Sequence, residues 1–193
     1  MTVFRRVFLQ PVKPWPFKPT QVGTPFRRIA LFFLSLILSF MPTTRVANAD
    51  DIALITEHRH SMFAEIGWST ADALTTMSEH FRPWVERMMA AGKYVGWVVE
   101  DDGQPVASAG FFELEWPPHP FDPAGEARGY LLNFWVEPSH RRRGLAKGLV
   151  KLAVAESRRR GLRVTTLHAS EAGRPVYESL GFRRGGEMML IET

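Results

Sequence analysis

Residues 130–150 read YLLNFWVEPSHRRRGLAKGLV, and this stretch decides the fold. Its first seven residues are rich in aromatic and branched side chains, which is typical of a buried β-strand. Pro138 ends the strand, because proline has no amide hydrogen to donate to a sheet. A basic turn at residues 141–146 follows, and then apolar residues fall on one face of a helix: Leu145, Leu149, Leu152 and Ala153.

The turn has the composition of a phosphate-binding site. The first amides of a helix have no acceptor within the helix, and the helix dipole attracts anions to that end. Gly144 lets the backbone approach a phosphate closely, and the arginines at 141–143 can add charge-assisted hydrogen bonds. This stretch alone leaves a solvated basic turn open as the alternative.

Two motifs in order favour the phosphate site. The pattern Arg141-x-x-Gly144-x-Ala146, after a strand that ends Val136-Glu137-Pro138, resembles the acetyl-CoA signature of the GNAT superfamily of N-acetyltransferases. Downstream, residues 167–170 (LHAS) and 176–182 (VYESLGF) are similar to the second half-site of that family. The resemblance covers roughly residues 43–192. It implies an α/β GNAT fold: a mixed central β-sheet flanked by helices, with a splayed central strand pair that binds acetyl-CoA.

The resemblance also implies which residues bind acetyl-CoA, the co-substrate. The backbone of residues 134–136 pairs with the pantetheine arm, and a bulge in this strand frees an amide near Val136 that polarises the acetyl carbonyl. Amides and arginine side chains of the turn bind the pyrophosphate. The family commonly has asparagine where this chain has Ser170, so the match is looser there. The implied binding residues are Phe134, Trp135, Val136, Arg141, Arg142, Arg143, Gly144, Leu145, Ala146 and Ser170.

Tyr177 matches the family tyrosine whose hydroxyl faces the coenzyme sulfur. A phenol is protonated at neutral pH and can give its proton to the departing thiolate. The resemblance therefore implies that Tyr177 is the general acid. Packing of the helix onto the sheet is the alternative role for this ring.

A carboxylate next to the central strand is a candidate general base. Glu113 and Glu115 lie at the end of a predicted neighbouring strand, and Glu137 is a third candidate. We take Glu113 as the base, although each residue is also explained as a surface carboxylate, and ordered water can serve instead. No metal site is predicted, because His58 and His60 are two residues apart and point in different directions on a helix.

These motifs predict an acetyl-CoA-dependent N-acetyltransferase. The acceptor is a primary amine of a small molecule, a peptide or a protein, and the sequence does not choose among them. A non-catalytic acyl-CoA-binding sensor or module is the alternative from another class. A homodimer is an option, because dimers are common among look-alikes.

Composition bounds the other function classes. The chain has 193 residues, enough for one domain with a sizeable core, and no cysteine. Residues 1–40 hold six of the 24 basic residues and no acidic ones. This leaves 18 basic and 20 acidic residues in 41–193, a formal charge of −2. The high isoelectric point therefore belongs to the N-terminal segment, and nucleic-acid binding is not expected.

Residues 1–40 form a leader ahead of a domain at 41–193. Residues 1–28 have five prolines and no periodicity and are predicted to be disordered, whereas residues 29–41 are apolar and uncharged. That run is shorter than the roughly 17–25 residues of a spanning helix. Followed by Ala47-Asn48-Ala49, it imitates an export signal, so membrane anchoring or export through residues 1–49 is the alternative. We favour a mis-assigned start, or a leader irrelevant to activity, and a cytoplasmic enzyme, because acetyl-CoA is cytosolic.

The remaining patterns complete the fold. A first strand is predicted at 41–47, a helix at 51–66, and a helix at 70–91 that Pro83 splits or kinks. Trp68, Phe81 and Trp84 line a substrate pocket or pack the core. The loop at 113–129 is expected to cover the acceptor site or to be disordered. Further predicted elements are strands at 94–100, 105–112, 163–168 and 187–191 and a helix at 171–180.

Overall fold

Five strands and four helices make up residues 41–186, the part of the chain that the computed structural model describes. The leader predicted at residues 1–40 and the strand predicted at 187–191 lie outside the described residues. The elements, in chain order, are β1 (Thr43–Val46), α1 (Ile52–Ile66), α2 (Ala71–Ala90), β2 (Tyr94–Asp101), β3 (Gln104–Glu115), β4 (Ala127–Val136), α3 (Leu145–Arg159), β5 (Thr165–Leu167) and α4 (Arg174–Glu178).

The strands form one sheet in the order β1-β2-β3-β4-β5. The first four are antiparallel neighbours, whereas β5 runs parallel to β4 after the crossover through α3. The β2–β3 connection is an Asp-Gly hairpin turn, in which Asp102 and Gly103 have φ of 52° and 71°. The mixed sheet that the motifs implied is therefore confirmed.

Helices cover both faces of the sheet. Helices α1 and α2 pack Ile55 and Val85 against β2 on one face, and α3 packs Leu149, Val150 and Ala153 against β3 and β4 on the other. Alternate residues of β3 point to opposite faces, so each face has its own apolar core. The end of β4 and the start of α3 line the same cleft.

Local chemistry explains where α1 begins and ends, and packing explains how α2 passes a proline. Asn48 and Asp51 form a capping box ahead of α1, and Gly67, with φ of 75°, ends it. Helix α2 continues through Pro83, so Pro83 does not split it, and the alternative of a kink stays a prediction. Proline removes only one donor from the helix. Packing of Phe81 and Val85 on the sheet holds both sides of α2 in place.

The loop between β3 and β4 is shorter than predicted, because β3 extends to Glu115 and β4 begins at Ala127. The loop folds on itself, with Asp122 N donating to His119 O at 2.7 Å and Trp116 N to Glu126 O at 2.9 Å. Its role as a cover for the acceptor site stays a prediction.

Residues 41–186 contain no helix that is long and apolar enough to cross a membrane. The same residues contain no group of three or more His, Cys, Asp or Glu side chains placed to hold a metal ion.

Candidate active site

Strand β4 bulges near its end. Ser108 of β3 faces Trp135 and Gly110 faces Leu132, so two residues of β4, Asn133 and Phe134, oppose a single residue of β3. Asn133 has φ of 57°, a left-handed conformation that asparagine adopts more readily than most residues. A bulge bends its strand and interrupts the hydrogen-bond ladder. The bulge implied by the resemblance is therefore present, and it begins at Asn133.

The Asn133 side chain is held in a buried network. Its Oδ1 accepts a hydrogen bond from Arg59 Nη1 at 2.6 Å, and its Nδ2 donates to Tyr94 Oη at 3.1 Å. Asn133 and Tyr94 are only 2% and 3% exposed. Burial raises the pKa of Tyr94 to about 12, so its hydroxyl remains neutral. The network fixes the bulge to α1 and β2.

Strands β4 and β5 separate just before the bulge. Their last paired residues are Leu131 and Leu167, and beyond this pair a cleft of about 750 Å³ opens between them. This volume lies within the usual range for small-molecule sites. Its walls come from α1, the bulged end of β4, the turn before α3, and residues 168–179. The splayed strand pair that the motifs implied is thus present.

The turn before α3 presents backbone amides to the cleft. Arg142 and Gly144 both have positive φ, 62° and 83°. Gly144 is the N-cap of α3 and has no side chain that could accept from the first amides. The first helical hydrogen bond runs from Gly148 N to Gly144 O. The amides between them have no acceptor inside the helix, so the turn can receive an anion. An added Cβ at Gly144 would meet no protein atom within 4 Å, so its backbone angle, rather than crowding, requires glycine.

The three arginine side chains of the turn do different work. Arg141 donates to both oxygens of Glu65 at 2.9 and 2.6 Å, and its Nε donates to Val136 O. Arg143 pairs with Asp101 at 2.8 Å and does not line the cleft. Arg142 lines the cleft, and no carboxylate of residues 41–186 pairs with it. Two arginines therefore hold the turn in place, and Arg142 is the side chain available to a phosphate.

Tyr177 lines the opposite wall of the cleft, on α4. Its ring packs edge-on against Phe134 and Phe182, with centroids 6.1 and 5.9 Å apart. Burial raises the pKa of Tyr177 to about 12, which keeps the phenol protonated. Ser170 lines the same wall, and its Oγ accepts a hydrogen bond from Gly173 N at 3.2 Å. Pro175 lies in the first turn of α4.

None of the three carboxylates considered as general bases lines the cleft. Glu113 pairs with Arg160 at 2.8 Å and lines neither the cleft nor the cavity described next. Glu115 pairs with Lys93 at 2.9 Å. Glu137 accepts a hydrogen bond from Trp135 Nε1 at 2.9 Å. All predicted site residues except Glu113 and Arg143 line the cleft. The role of Glu113 as a base stays a prediction.

A second, smaller cavity of about 300 Å³ adjoins the cleft. Arg59, Tyr130 and Leu132 line both spaces, so the two meet at these residues. Its other walls are Phe81, Trp84, Phe112 and Leu114. Phe81 and Trp84 thus both pack in the core and line a pocket, whereas Trp68 lies on the cleft and is 70% exposed.

Arg59 and Asn133 are site residues that the sequence motifs do not predict. Arg59 interrupts the apolar stripe of α1 that contains Ile55 and Met62, and a charge on an apolar helix face is a usable signal. Asn133 interrupts the apolar residues of β4, and asparagine is enriched at left-handed positions. Nothing local shows that these two residues contact each other.

Comparison with known proteins gives consistent matches. The model of the acetyltransferase (GNAT) family matches residues 53–182. A GCN5-related N-acetyltransferase structure from Ralstonia eutropha is 41% identical with a TM-score of 0.75, over 79% of this chain and 99% of that one. A predicted acetyltransferase from Clostridium acetobutylicum, solved with acetyl-CoA, is 26% identical with a TM-score of 0.72, over 79% and 96% of the two chains.

A curated relative matches over a shorter stretch. Glucosamine 6-phosphate N-acetyltransferase of Trypanosoma brucei brucei is 36% identical over 72 residues, which is 37% of this chain. The match spans about half of that relative, 49% of its length.

Proposed function

The chain belongs to the acetyltransferase (GNAT) family, and on this premise we propose that it transfers the acetyl group of acetyl-CoA to a primary amine. The observation that carries the proposal is the cleft where β4 and β5 separate, with the bulge at Asn133 on one wall, Tyr177 on the other and free amides at one end. Because acetyl-CoA is a cytosolic metabolite, we expect the reaction to take place in the cytoplasm.

Acetyl-CoA would bind along this cleft. The amides of residues 142–146 and the Arg142 side chain are available for the pyrophosphate. The backbone of residues 134–136 can pair with the amides of the pantetheine arm as an added strand would. Acetyl-CoA supplies the activated thioester, and the protein supplies position and polarisation.

Transfer then needs one bond formed and one broken. The neutral amine attacks the thioester carbonyl carbon, and an amide freed near the bulge stabilises the charge on its oxygen. The carbon–sulfur bond breaks, and Tyr177 gives its proton to the departing thiolate. The amine proton passes to water or to a carboxylate, for which Glu113 is the predicted group.

A turnover assay tests the proposal. Full-length protein is mixed with acetyl-CoA and a panel of amines, including L-phenylalanine, glucosamine 6-phosphate and a lysine peptide, and both the released thiol and the acetylated amine are measured. The sugar phosphate is included because the curated relative is named for it. Acetylation of any of these amines supports the proposal and excludes a non-catalytic acyl-CoA-binding module. Binding of acetyl-CoA without transfer to any amine would contradict it.

The arginines of the turn supply a sharper test of the binding site. We expect Arg142→Ala to weaken acetyl-CoA binding roughly tenfold, about 1.4 kcal/mol, because a charged contact to a phosphate is lost. Arg143→Ala is the matched control, since the Arg143 side chain is held by Asp101 outside the cleft, and it should weaken binding less. Calorimetric titration measures both affinities. Equal losses in the two variants would contradict the assignment of Arg142.

A further inference from the structure

Arg59 is a partly buried cation at the junction of the cleft and the smaller cavity. Its guanidinium carbon lies 4.8 and 4.7 Å from the ring centres of Phe63 and Phe81. Nη1 donates to Asn133 Oδ1. Nε is buried without a hydrogen-bond partner, and Nη2 also bonds to no residue of the described part of the chain. One edge of the guanidinium is therefore unused.

No carboxylate among residues 41–186 forms an ion pair with Arg59, in contrast to Arg141, which Glu65 neutralises at 2.6 Å. Burial lowers the pKa of Arg59, and no carboxylate among residues 41–186 acts against this. An arginine nevertheless stays protonated in proteins. A desolvated charge without a counter-ion is costly, and two aromatic faces and one amide offset only part of that cost. The site is thus suited to an anion that arrives with a ligand.

The smaller cavity shows what accompanies that anion. Beyond Arg59, its lining consists of aromatic and aliphatic side chains, with Trp84 5.6 Å from Phe81 and 5.2 Å from Phe112 between ring centres. A space of about 300 Å³ is at the small end of the range for ligand sites. It fits one apolar side chain rather than a polymer or a large polar group.

We propose that the acceptor is a free α-amino acid with an apolar side chain. This inference rests on the proposed function and names its acceptor. An α-amino acid carries its amine and its carboxylate on one carbon, so both groups can lie at the junction while the side chain enters the smaller cavity. The carboxylate accepts hydrogen bonds from Nε and Nη2 of Arg59, and the amine faces the bulge, where the acetyl group is presented.

A positioning role for Arg59, through Asn133 and the bulge, is the competing explanation. That role predicts equal effects on charged and neutral ligands, since the bulge serves every acceptor. An anion-binding role predicts that the effect depends on the charge of the ligand. The two explanations are separated by ligands that differ only in that charge.

The test uses full-length protein saturated with CoA and two probes without an amine, 3-phenylpropanoate and 3-phenylpropanamide, titrated by calorimetry. We expect the wild-type protein to bind the carboxylate roughly 10- to 100-fold more tightly than the amide, because hydrogen bonds to a charged group are gained. Arg59→Gln should abolish this preference and Arg59→Lys should retain part of it. Arg87→Gln, an exposed change on α2 with the same loss of charge, should leave it intact.

Equal binding of the two probes by the wild-type protein would overturn the inference, even if Arg59→Gln does not fold. Survival of the preference in a folded Arg59→Gln variant would also overturn it. Turnover supplies a second readout. Faster acetylation of glucosamine 6-phosphate than of L-phenylalanine would contradict the proposal that the acceptor has an apolar side chain. If amines without a carboxylate are acetylated and the carboxylate probe binds no more tightly than the amide probe, the inference fails and the proposed function stands. Tighter binding of the carboxylate than of the amide, without acetyl transfer to any amine, would contradict the proposed function and support only the anion site.

Discussion

The cleft has a coenzyme end, formed by residues 134–136, 141–142, 144–146, 170 and 175–177, and an acceptor end, formed by Arg59, Asn133 and the smaller cavity. The coenzyme end offers mainly backbone amides, held by a bulge, a helix start and two arginines that are paired with carboxylates. The acceptor end offers side chains from α1, α2, β3 and β4. Backbone groups suit a ligand that all members of a family share, whereas side chains can change with the acceptor.

The largest expected effect comes from removing the hydroxyl of Tyr177, the proposed general acid. Tyr177→Phe should lower turnover by roughly 10²- to 10⁴-fold, the range for general acid catalysis, while acetyl-CoA binding changes little. The variant keeps the ring and its contacts with Phe134 and Phe182, so it separates the role of the hydroxyl from that of packing. Steady-state rates and a calorimetric titration measure the two quantities. Unchanged turnover would show that Tyr177 only packs the cleft wall.

The hydrogen bonds of Asn133 support both ends of the cleft, because they join the bulge of β4 to Arg59. Asn133→Ala removes the partner of Arg59 and Tyr94 and leaves alanine at a positive φ, so we expect the free energy of unfolding to fall by about 3 kcal/mol. Asn133→Gly is the matched control, because glycine accepts this backbone angle, and it should lose about 1 kcal/mol less. Urea unfolding measures both variants. Equal losses would mean that the backbone angle contributes nothing.

The smallest expected effect comes from a site outside the cleft, the ion pairs of Glu156 near the C-terminal end of α3. Glu156 accepts hydrogen bonds of 2.7 Å from Arg159 and Arg160, and these lower its pKa from 4.5 to about 2. A carboxylate whose pKa is lower in the folded state stabilises the fold above its unfolded pKa. That contribution disappears as the pH falls from about 4.5 through about 2.

Glu156→Gln should therefore lower the free energy of unfolding by roughly 1 kcal/mol at neutral pH and by much less in acid near the folded pKa. Urea unfolding at the two pH values checks the sign. A loss that stays the same in acid would contradict the ion-pair account. Acetyl-CoA affinity at neutral pH is the internal control and should not change, since Glu156 does not line the cleft.

The two ends also differ in how far the sequence predicts them. The turn at Gly144 and the hairpin at Asp102-Gly103 depend on the conformations of a few consecutive residues, so their motifs predict them. The contact between Arg59 and Asn133 joins residues 74 positions apart, and no periodicity encodes it. Glu113 illustrates the same limit. The sequence places it at the end of β3, but only the structure shows Arg160 at its carboxylate.

The most direct test of the central claim is amide hydrogen exchange of the full-length protein with and without acetyl-CoA. If backbone groups bind the coenzyme where β4 and β5 separate, exchange should slow in residues 134–136 and 142–146. Strand β2, which is separated from β5 by both β3 and β4, should be unaffected. Acetyl-CoA binding that leaves exchange unchanged in both segments would contradict the account, because the coenzyme would then lie elsewhere.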